Sequence, residues 1–226
     1  GDKMRVLVIA AHPDDEVIGL GGTLYKHYLN GDKIHILFLS DGRSSRNNVL
    51  NINEKNEKTY SQIKKVSKIL KYTFTYLNFL DNQLDKYPLL TIVKECEKVI
   101  KQINPDIMYT HWIHDINVDH SIACRAALTA ARPIKGNNKI QKIFEFETLS
   151  ETEWTLNDSN FTPNTFSIIN DLEIKMKKCA LEVYSDEMKN FQHPRNIEII
   201  TLNSIVWGAK FGHDYVEPLL LIRSFV

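Results

Sequence analysis

The feature that most constrains this chain is an acidic stretch that directly follows an apolar run near the N-terminus. The run covers residues 4–10, and the stretch, residues 11–16, reads AHPDDE. A short, β-branched and nearly uncharged run predicts a strand buried on both faces of a parallel sheet. The acidic stretch then lies at the carboxyl end of that strand, where open α/β sheets bind ligands. It holds more acid than a helix start requires, which indicates a metal site.

Strand and helix patterns alternate through residue 131, which predicts a doubly wound, mostly parallel α/β sheet with helices on both faces. The strands are expected at 4–10, 33–39, 74–79 and 106–110, and the helices at 15–30, 54–71, 89–103 and 121–131. Strands at 142–147 and 165–169, then helices at 172–188 and 197–211, predict a C-terminal α+β extension. We expect residues 1–226 to form a single domain.

Composition narrows the choice of partners and compartment. The 28 basic and 28 acidic residues leave no net charge, which argues against a nucleic-acid or acidic-membrane partner. Cys96, Cys124 and Cys179 are far apart, as expected of small core residues in a reducing compartment. No leader or membrane-length apolar run is evident, so we expect a cytoplasmic protein, with a homo-oligomer left open.

A second cluster of ligand-type side chains, at residues 111–120, follows the fourth predicted strand. The carboxyl ends of parallel strands share one edge, so the two clusters can meet. His12 and Asp15 are three residues apart, which can bring both to one side of the first helical turn, and His120 can supply a third zinc ligand. Asp14 then stays free to accept the proton of a water that zinc activates. This set predicts hydrolysis of an amide or an ester.

The same residues also permit plainer interpretations. Adjacent aspartates at a helix start are more often caps than catalysts, and pairs such as Asp119-His120 are common at helix starts. The occurrence of both clusters at carboxyl ends of strands favours the functional interpretation. Among the isolated histidines, His213 is the strongest further candidate, because residues 212–215 have a loop-like sequence.

The AHPDDE stretch after an N-terminal strand resembles the hallmark of the LmbE-like, or PIG-L, zinc-dependent de-N-acetylases. Further matching segments are GGT at 21–23, DG at 41–42, DH at 119–120 and YVE at 215–217. The resemblance implies a Rossmann-like parallel sheet flanked by helices. It also implies that His12, Asp15 and His120 bind zinc, that Asp14 is the general base, and that the substrate is an N-acetylated amino sugar or a conjugate of one.

One departure from the family pattern concerns Asn117. Many members have a histidine at this position of their second motif, where it stabilises the oxyanion or protonates the amine. Asn117 can donate a hydrogen bond to an oxyanion, but it cannot act as a proton donor at neutral pH. The acid is then expected to be protonated Asp14, His114, His213 or water.

A second departure concerns substrate contacts. Several relatives carry an arginine that contacts the sugar, and residues 55–62 offer no clear counterpart. Arg43 or Arg46, from a polar loop at 43–53 that we expect to be mobile, could reach the site instead. Asp41 and Asp81, at neighbouring strand ends, are candidates for binding sugar hydroxyls, with a turn role equally compatible.

The sequence therefore predicts a zinc-dependent hydrolase that removes the N-acetyl group from an amino sugar or its conjugate, with other divalent metals possible. Asp115 or Asp119 is expected to orient His120 through its second ring nitrogen. The alternatives are an amidase acting on another small acyl conjugate and a catalytically silent, metal-containing sugar-binding homologue. A nucleotide-binding protein without metal is disfavoured, because the chain has no glycine-rich phosphate loop.

Overall fold

Seven strands form one mixed sheet in the computed structural model of the chain, which describes residues 3–42, 52–134, 140–155 and 159–226. The strands are β1 (Arg5–Ala10), β2 (Lys33–Ser40), β3 (Thr73–Phe79), β4 (Ile107–His111), β5 (Lys142–Phe146), β6 (Thr165–Ile169) and β7 (Tyr215–Ser224). The α-helices are α1 (Asp15–Leu29), α2 (Ile52–Leu70), α3 (Leu89–Ile103), α4 (Val118–Ala130), α5 (Asp171–Val183) and α6 (Ile197–Phe211).

The strand order is β3-β2-β1-β4-β5-β7-β6, in which β1 to β5 are parallel and β7 is antiparallel to both of its neighbours. The predicted mostly parallel α/β fold is therefore confirmed. The sequence did not predict β7, because Pro218 cannot donate to a ladder and argues against an interior strand. Pro218 nevertheless pairs with Phe166 of β6.

Alternating side chains of the strands divide the interior into two hydrophobic cores. Val6, Val8 and Ala10 of β1 pack on one face, together with residues of α1, α2, α5 and α6. Leu7 and Ile9 pack on the other face, against residues of α3 and α4. The first strand, apolar from Val6 to Ala10, is thus buried on both sides, as its sequence predicts.

Helix α1 lies unusually close to its neighbours because of its glycines. A Cβ atom at Gly19 would lie 2.4 Å from the Phe146 ring and 2.7 Å from the carbonyl oxygen of Glu147. At Gly22 it would lie 2.5 Å from the Ile169 side chain. These glycines weaken the helix by propensity but let its backbone approach β5 and β6.

The C-terminal segment is tied to α1 through a buried ion pair. Lys177 of α5 lies 2.7 Å from Glu217 of β7, and both side chains are almost fully buried. Glu217 also accepts hydrogen bonds from the backbone nitrogens of Gly22 and Thr23 and from the Thr23 hydroxyl. The GGT and YVE segments therefore meet in the fold. Among the described helices, none combines the length and apolar character needed to cross a bilayer.

Candidate metal centre and active site

The AHPDDE stretch connects the carboxyl end of β1 to α1, beside the carboxyl end of β4. The backbone N–H of Ala11 donates to Nε2 of His111, the last residue of β4, at 2.9 Å. Helix α4 begins at Val118, earlier than predicted, because Asn117 caps it by accepting from the Asp119 backbone N–H. The cap places His120 in the first turn of α4. Two strand ends thereby bring the two clusters together.

His12, Asp15 and His120 offer ligand atoms that all lie within 4.8 Å of one another, and all three residues are buried. Nδ1 of His12 and Nε2 of His120 each lie 3.3 Å from Oδ2 of Asp15. Two neighbouring groups also have metal-type side chains, namely His111 with Asp115 and His120, and His12 with Asp81 and Asp119.

Two buried atoms of the first group indicate that it fits a metal. Within the described part of the chain, Oδ1 of Asp15 and Nε2 of His120 have no hydrogen-bond partner. A buried polar atom without a hydrogen bond costs free energy, and a cation placed between Asp15 and His120 would satisfy both atoms. Two imidazole nitrogens and a carboxylate are a donor set that zinc and similar divalent cations accept.

Carboxylates fix the remaining ring nitrogen of each histidine. Nδ1 of His120 lies 2.9 Å from Asp115, whose other oxygen accepts a hydrogen bond from Thr152. Nε2 of His12 lies 3.0 Å from Asp119 and 3.1 Å from Asp81. Of the two aspartates predicted to orient His120, Asp115 lies against it, whereas Asp119 lies against His12. This arrangement holds both imidazoles with one nitrogen turned toward Asp15.

The carboxylates make the centre strongly attractive to positive charge. Burial alone lowers the pKa of His120, but Asp15 and Asp115 outweigh it and raise the pKa to about 9. For His12, burial is likewise outweighed by hydrogen bonds to Asp119, Asp15 and Asp81, so its pKa lies well above the ordinary value. The same carboxylates favour a divalent cation between the two rings.

Asp14 has an unusual backbone conformation, with a φ of 116°. A residue other than glycine in this region is strained, and such strain is found most often at functional sites. Asp14 occupies the N-cap position of α1 but makes no side-chain capping bond, so the plain capping interpretation does not hold for it. Its backbone N–H instead donates to the side chain of Glu16 at 2.9 Å.

The Asp14 carboxylate pairs with an arginine that sequence analysis did not single out. Nη1 of Arg195, in the loop between α5 and α6, lies 3.3 Å from Oδ2 of Asp14. Burial raises the pKa of Asp14 well above its ordinary value, with Arg195 opposing this shift and Asp15 adding to it. Arg195 is thus the cation that balances a buried carboxylate.

A small polar pocket opens beside these residues. It is lined by His12, Pro13, Asp14, Gly42, Asp81, Asn82, Asn117, Glu151, Glu187 and Arg195. Of the predicted substrate-binding residues, Asp81 lies in this wall. Asp41 lines a smaller adjacent cavity, and His213 lies on the exposed turn after α6, outside either lining. Arg43 and Arg46, with most of the predicted loop at 43–53, fall outside the described residues.

His111 also lies at this site, although nothing in the second cluster distinguishes it from the other histidines there. Its ring stacks on His120 with centroids 3.9 Å apart. Burial and the charge of His120 hold the pKa of His111 well below its ordinary value. A neutral His111 accepts from Ala11 and so joins the two strand ends. Glu151 and Arg195 carry no motif that could have identified them, because they reach the pocket through loop contacts.

Two sequence comparisons relate this arrangement to known proteins. The PIG-L family model, described as GlcNAc-PI de-N-acetylase, matches residues 7–131, more than half of the chain. The deacetylase YaiS of Escherichia coli K12, itself uncharacterized, is 27% identical over 186 residues, which cover 80% of this chain and 90% of YaiS. The matched range contains the candidate metal ligands and Asp14.

Solved structures share the fold. N,N'-diacetylchitobiose deacetylase from Pyrococcus horikoshii has a TM-score of 0.76 at 21% identity, over 98% of this chain and 84% of that chain. GalB, the 4-carboxy-2-hydroxymuconate hydratase of Pseudomonas putida KT2440, has a TM-score of 0.77 at 19% identity, over 99% and 98% of the two chains. The fold carries both a deacetylase and a hydratase, so it does not decide the reaction by itself.

Proposed function

Because the chain belongs to the PIG-L family of de-N-acetylases, we propose that it is a metal-dependent hydrolase that removes the acetyl group from an N-acetylamino sugar or a conjugate of one. The observation that carries the proposal is the buried group of His12, Asp15 and His120, with the carboxylate of Asp14 beside it in the wall of a polar pocket. Zinc is the metal that this donor set favours, and iron or cobalt would also fit it.

His12, Asp15 and His120 would hold the metal. When bound there, a divalent cation acts as a Lewis acid that polarises the amide carbonyl and activates water. Asp14 accepts the proton as the oxygen of water bonds to the carbonyl carbon. The same carboxyl then returns the proton to the nitrogen as the carbon–nitrogen bond breaks, which yields acetate and the free amine. Asp14 thereby serves as both base and acid, a role that Asn117 cannot take.

Two further residues assist this reaction in our proposal. Asn117 uses Oδ1 to cap α4, which leaves Nδ2 as the donor it can offer to the carbonyl oxygen. Arg195 holds the Asp14 carboxylate at the pocket wall. We further propose that Asp81 and Asn82, which lie in the same wall, bind substrate hydroxyls. The amidase alternative uses the same machinery and differs only in the group attached to nitrogen.

The test is acetate release from a panel of N-acetylamino sugars and non-sugar N-acetyl conjugates, measured beside the metal content of the protein. We expect one metal ion per chain and acetate from at least one sugar. Asp14→Asn should keep the metal and lose activity by roughly 100-fold or more. Asp85→Asn, at an exposed position, is the matched control and should keep both.

Each other result has a definite meaning. Metal without acetate from any sugar, but with acetate from another conjugate, would favour the amidase. Metal with no turnover at all would favour the silent homologue. A metal-free protein whose melting temperature does not rise with added zinc would contradict the proposed centre.

A further inference from the structure

An exposed tryptophan, Trp154, lies three residues after Glu151 of the pocket wall. Trp154 lies in the segment after β5, and 47% of it is exposed, compared with 3% of Trp112. Tryptophan is a large apolar side chain that folding normally buries. A single exposed aromatic residue is common on protein surfaces, so its surroundings decide whether it has a function.

The segment that carries Trp154 is fastened to the walls of the active site. The Thr152 hydroxyl donates to Oδ1 of Asp115 at 2.6 Å, and the Thr155 hydroxyl donates to the carbonyl oxygen of His114 at 2.7 Å. Nε of Arg195 donates to the Ser150 hydroxyl at 3.1 Å. Anchors on both sides of Trp154 therefore hold the backbone at this residue, which reduces the entropy lost when a ligand packs on its ring.

Short contacts connect the indole to the pocket. The Trp154 ring meets the ring of His193 edge-on, with centroids 5.6 Å apart. Nδ1 of His193 accepts from the backbone N–H of Arg195, a residue of the pocket wall. Ile116 directly precedes Asn117 of the pocket wall and is 43% exposed. Its backbone N–H donates to the carbonyl oxygen of Glu151, which also lines the pocket. Apolar surface thus borders a pocket whose own wall is polar.

We propose that Trp154, with Ile116, forms a second subsite that packs against a flat apolar face of the substrate beyond its acetamido group. Two parts of a substrate could supply that face, the C–H face of the sugar ring or an aromatic aglycone. The inference rests on the proposed function, because it assumes that the acetamido group enters the polar pocket. It adds that the substrate is held at two places, by polar groups at the amide and by apolar contact at the rim.

The experiment compares Trp154→Ala with the parent enzyme on methyl and p-nitrophenyl glycosides of N-acetylglucosamine. We expect KM to rise about 2- to 10-fold with kcat nearly unchanged, because the lost stacking is made equally before and during the reaction. A rise for both glycosides assigns the face to the sugar ring, and a rise for the p-nitrophenyl glycoside alone assigns it to the aglycone. Trp154→Phe should restore most of the affinity.

Phe225→Ala is the matched control. Phe225 is 54% exposed, and its backbone N–H donates to Gln141, at the opposite edge of the sheet from the pocket. Its loss should change neither KM nor kcat. Parent activity with an unchanged KM in Trp154→Ala would overturn the second subsite and leave the proposed function standing. Acetate from neither glycoside and from no other N-acetylamino sugar of the panel, in the parent as in the variants, would overturn both.

Discussion

At the scale of single residues, the site depends on how buried charges are balanced. Asp14 is held by Arg195 through its carboxylate and by Glu16 through its backbone N–H. Glu16 in turn accepts from the hydroxyls of Tyr72 and Tyr184, and burial raises its pKa to about 7. Glu16, the last residue of the AHPDDE stretch, therefore supports the backbone of Asp14 and does not line the pocket.

Replacing Arg195 with Met should lower acetate release by about 10- to 100-fold, because the Asp14 carboxylate loses its cation and its fixed position. Metal content should not change, since the Arg195 guanidinium bonds to Asp14, Ser150 and Glu151 and to none of the three candidate ligands. Arg195→Lys keeps the charge and should lose less. Full activity in Arg195→Met would contradict this role.

How far the site can be predicted depends on how each residue reaches it. His12, Asp15 and His120 follow directly after strand ends or in the first turn of a helix, so the carboxyl-edge rule brings them together from sequence alone. Arg195 and Glu151 come from loops whose paths depend on the packing of the C-terminal segment. No local pattern marks such residues, and only the folded chain identifies them.

At the scale of secondary-structure elements, one strand pair carries a titratable group in its interface. His35 of β2 is buried, and its two ring nitrogens contact the hydroxyls of Thr73 and Thr75 on β3. Burial lowers the pKa of His35 to about 4. The protein therefore holds this imidazole neutral at pH values where the unfolded chain would protonate it.

The free energy of unfolding should accordingly fall between pH 6.5 and about pH 4, because the unfolded state binds the proton of His35 first. The contribution is constant above this range and is at most about 3 kcal/mol. His35→Gln keeps hydrogen-bonding capacity but has no group that titrates. The unfolding free energy of this variant should therefore fall less than that of the parent protein between pH 6.5 and about pH 4. Urea titrations at several pH values measure the difference, with exposed His213→Gln as the control. Parallel curves for parent and His35→Gln would contradict the prediction.

The elements themselves were predictable where the pattern was unbroken. Strands β1 to β6 and all six helices of the described part of the chain lie close to their predicted ranges, although α5 ends at Val183, before its predicted end at 188. The sequence failed at β7, where a proline and an acid interrupt the run. Pairing with β5 and β6 and the bond network of Glu217 hold that segment in the sheet despite its composition.

At the scale of the whole molecule, the Lys177–Glu217 pair connects α5 and β7 to the first helix of the family-matched region. We infer from this link that residues 1–226 unfold as one domain, as the sequence predicts. Breaking a buried pair from one side leaves an uncompensated charge, which costs far more than losing an exposed pair.

Lys177→Met should therefore lower the free energy of unfolding by about 3–5 kcal/mol. Lys177→Met combined with Glu217→Gln removes both charges and keeps one acceptor oxygen, for the backbone N–H of either Gly22 or Thr23, so it should recover part of that loss. Circular dichroism and tryptophan fluorescence should follow one coincident transition in urea. Two separated transitions in the parent protein would show that the C-terminal segment forms its own domain.

The backbone of Asp14 has a consequence for how such a protein can be improved. Its φ of 116° suits glycine, so a substitution to glycine relieves strain while it removes the carboxylate. A library of variants selected for heat resistance alone would therefore favour glycine at position 14. The selected variants would be more stable but would lack the residue that we propose as the catalytic base. Only a screen that also demands turnover would retain aspartate at this position.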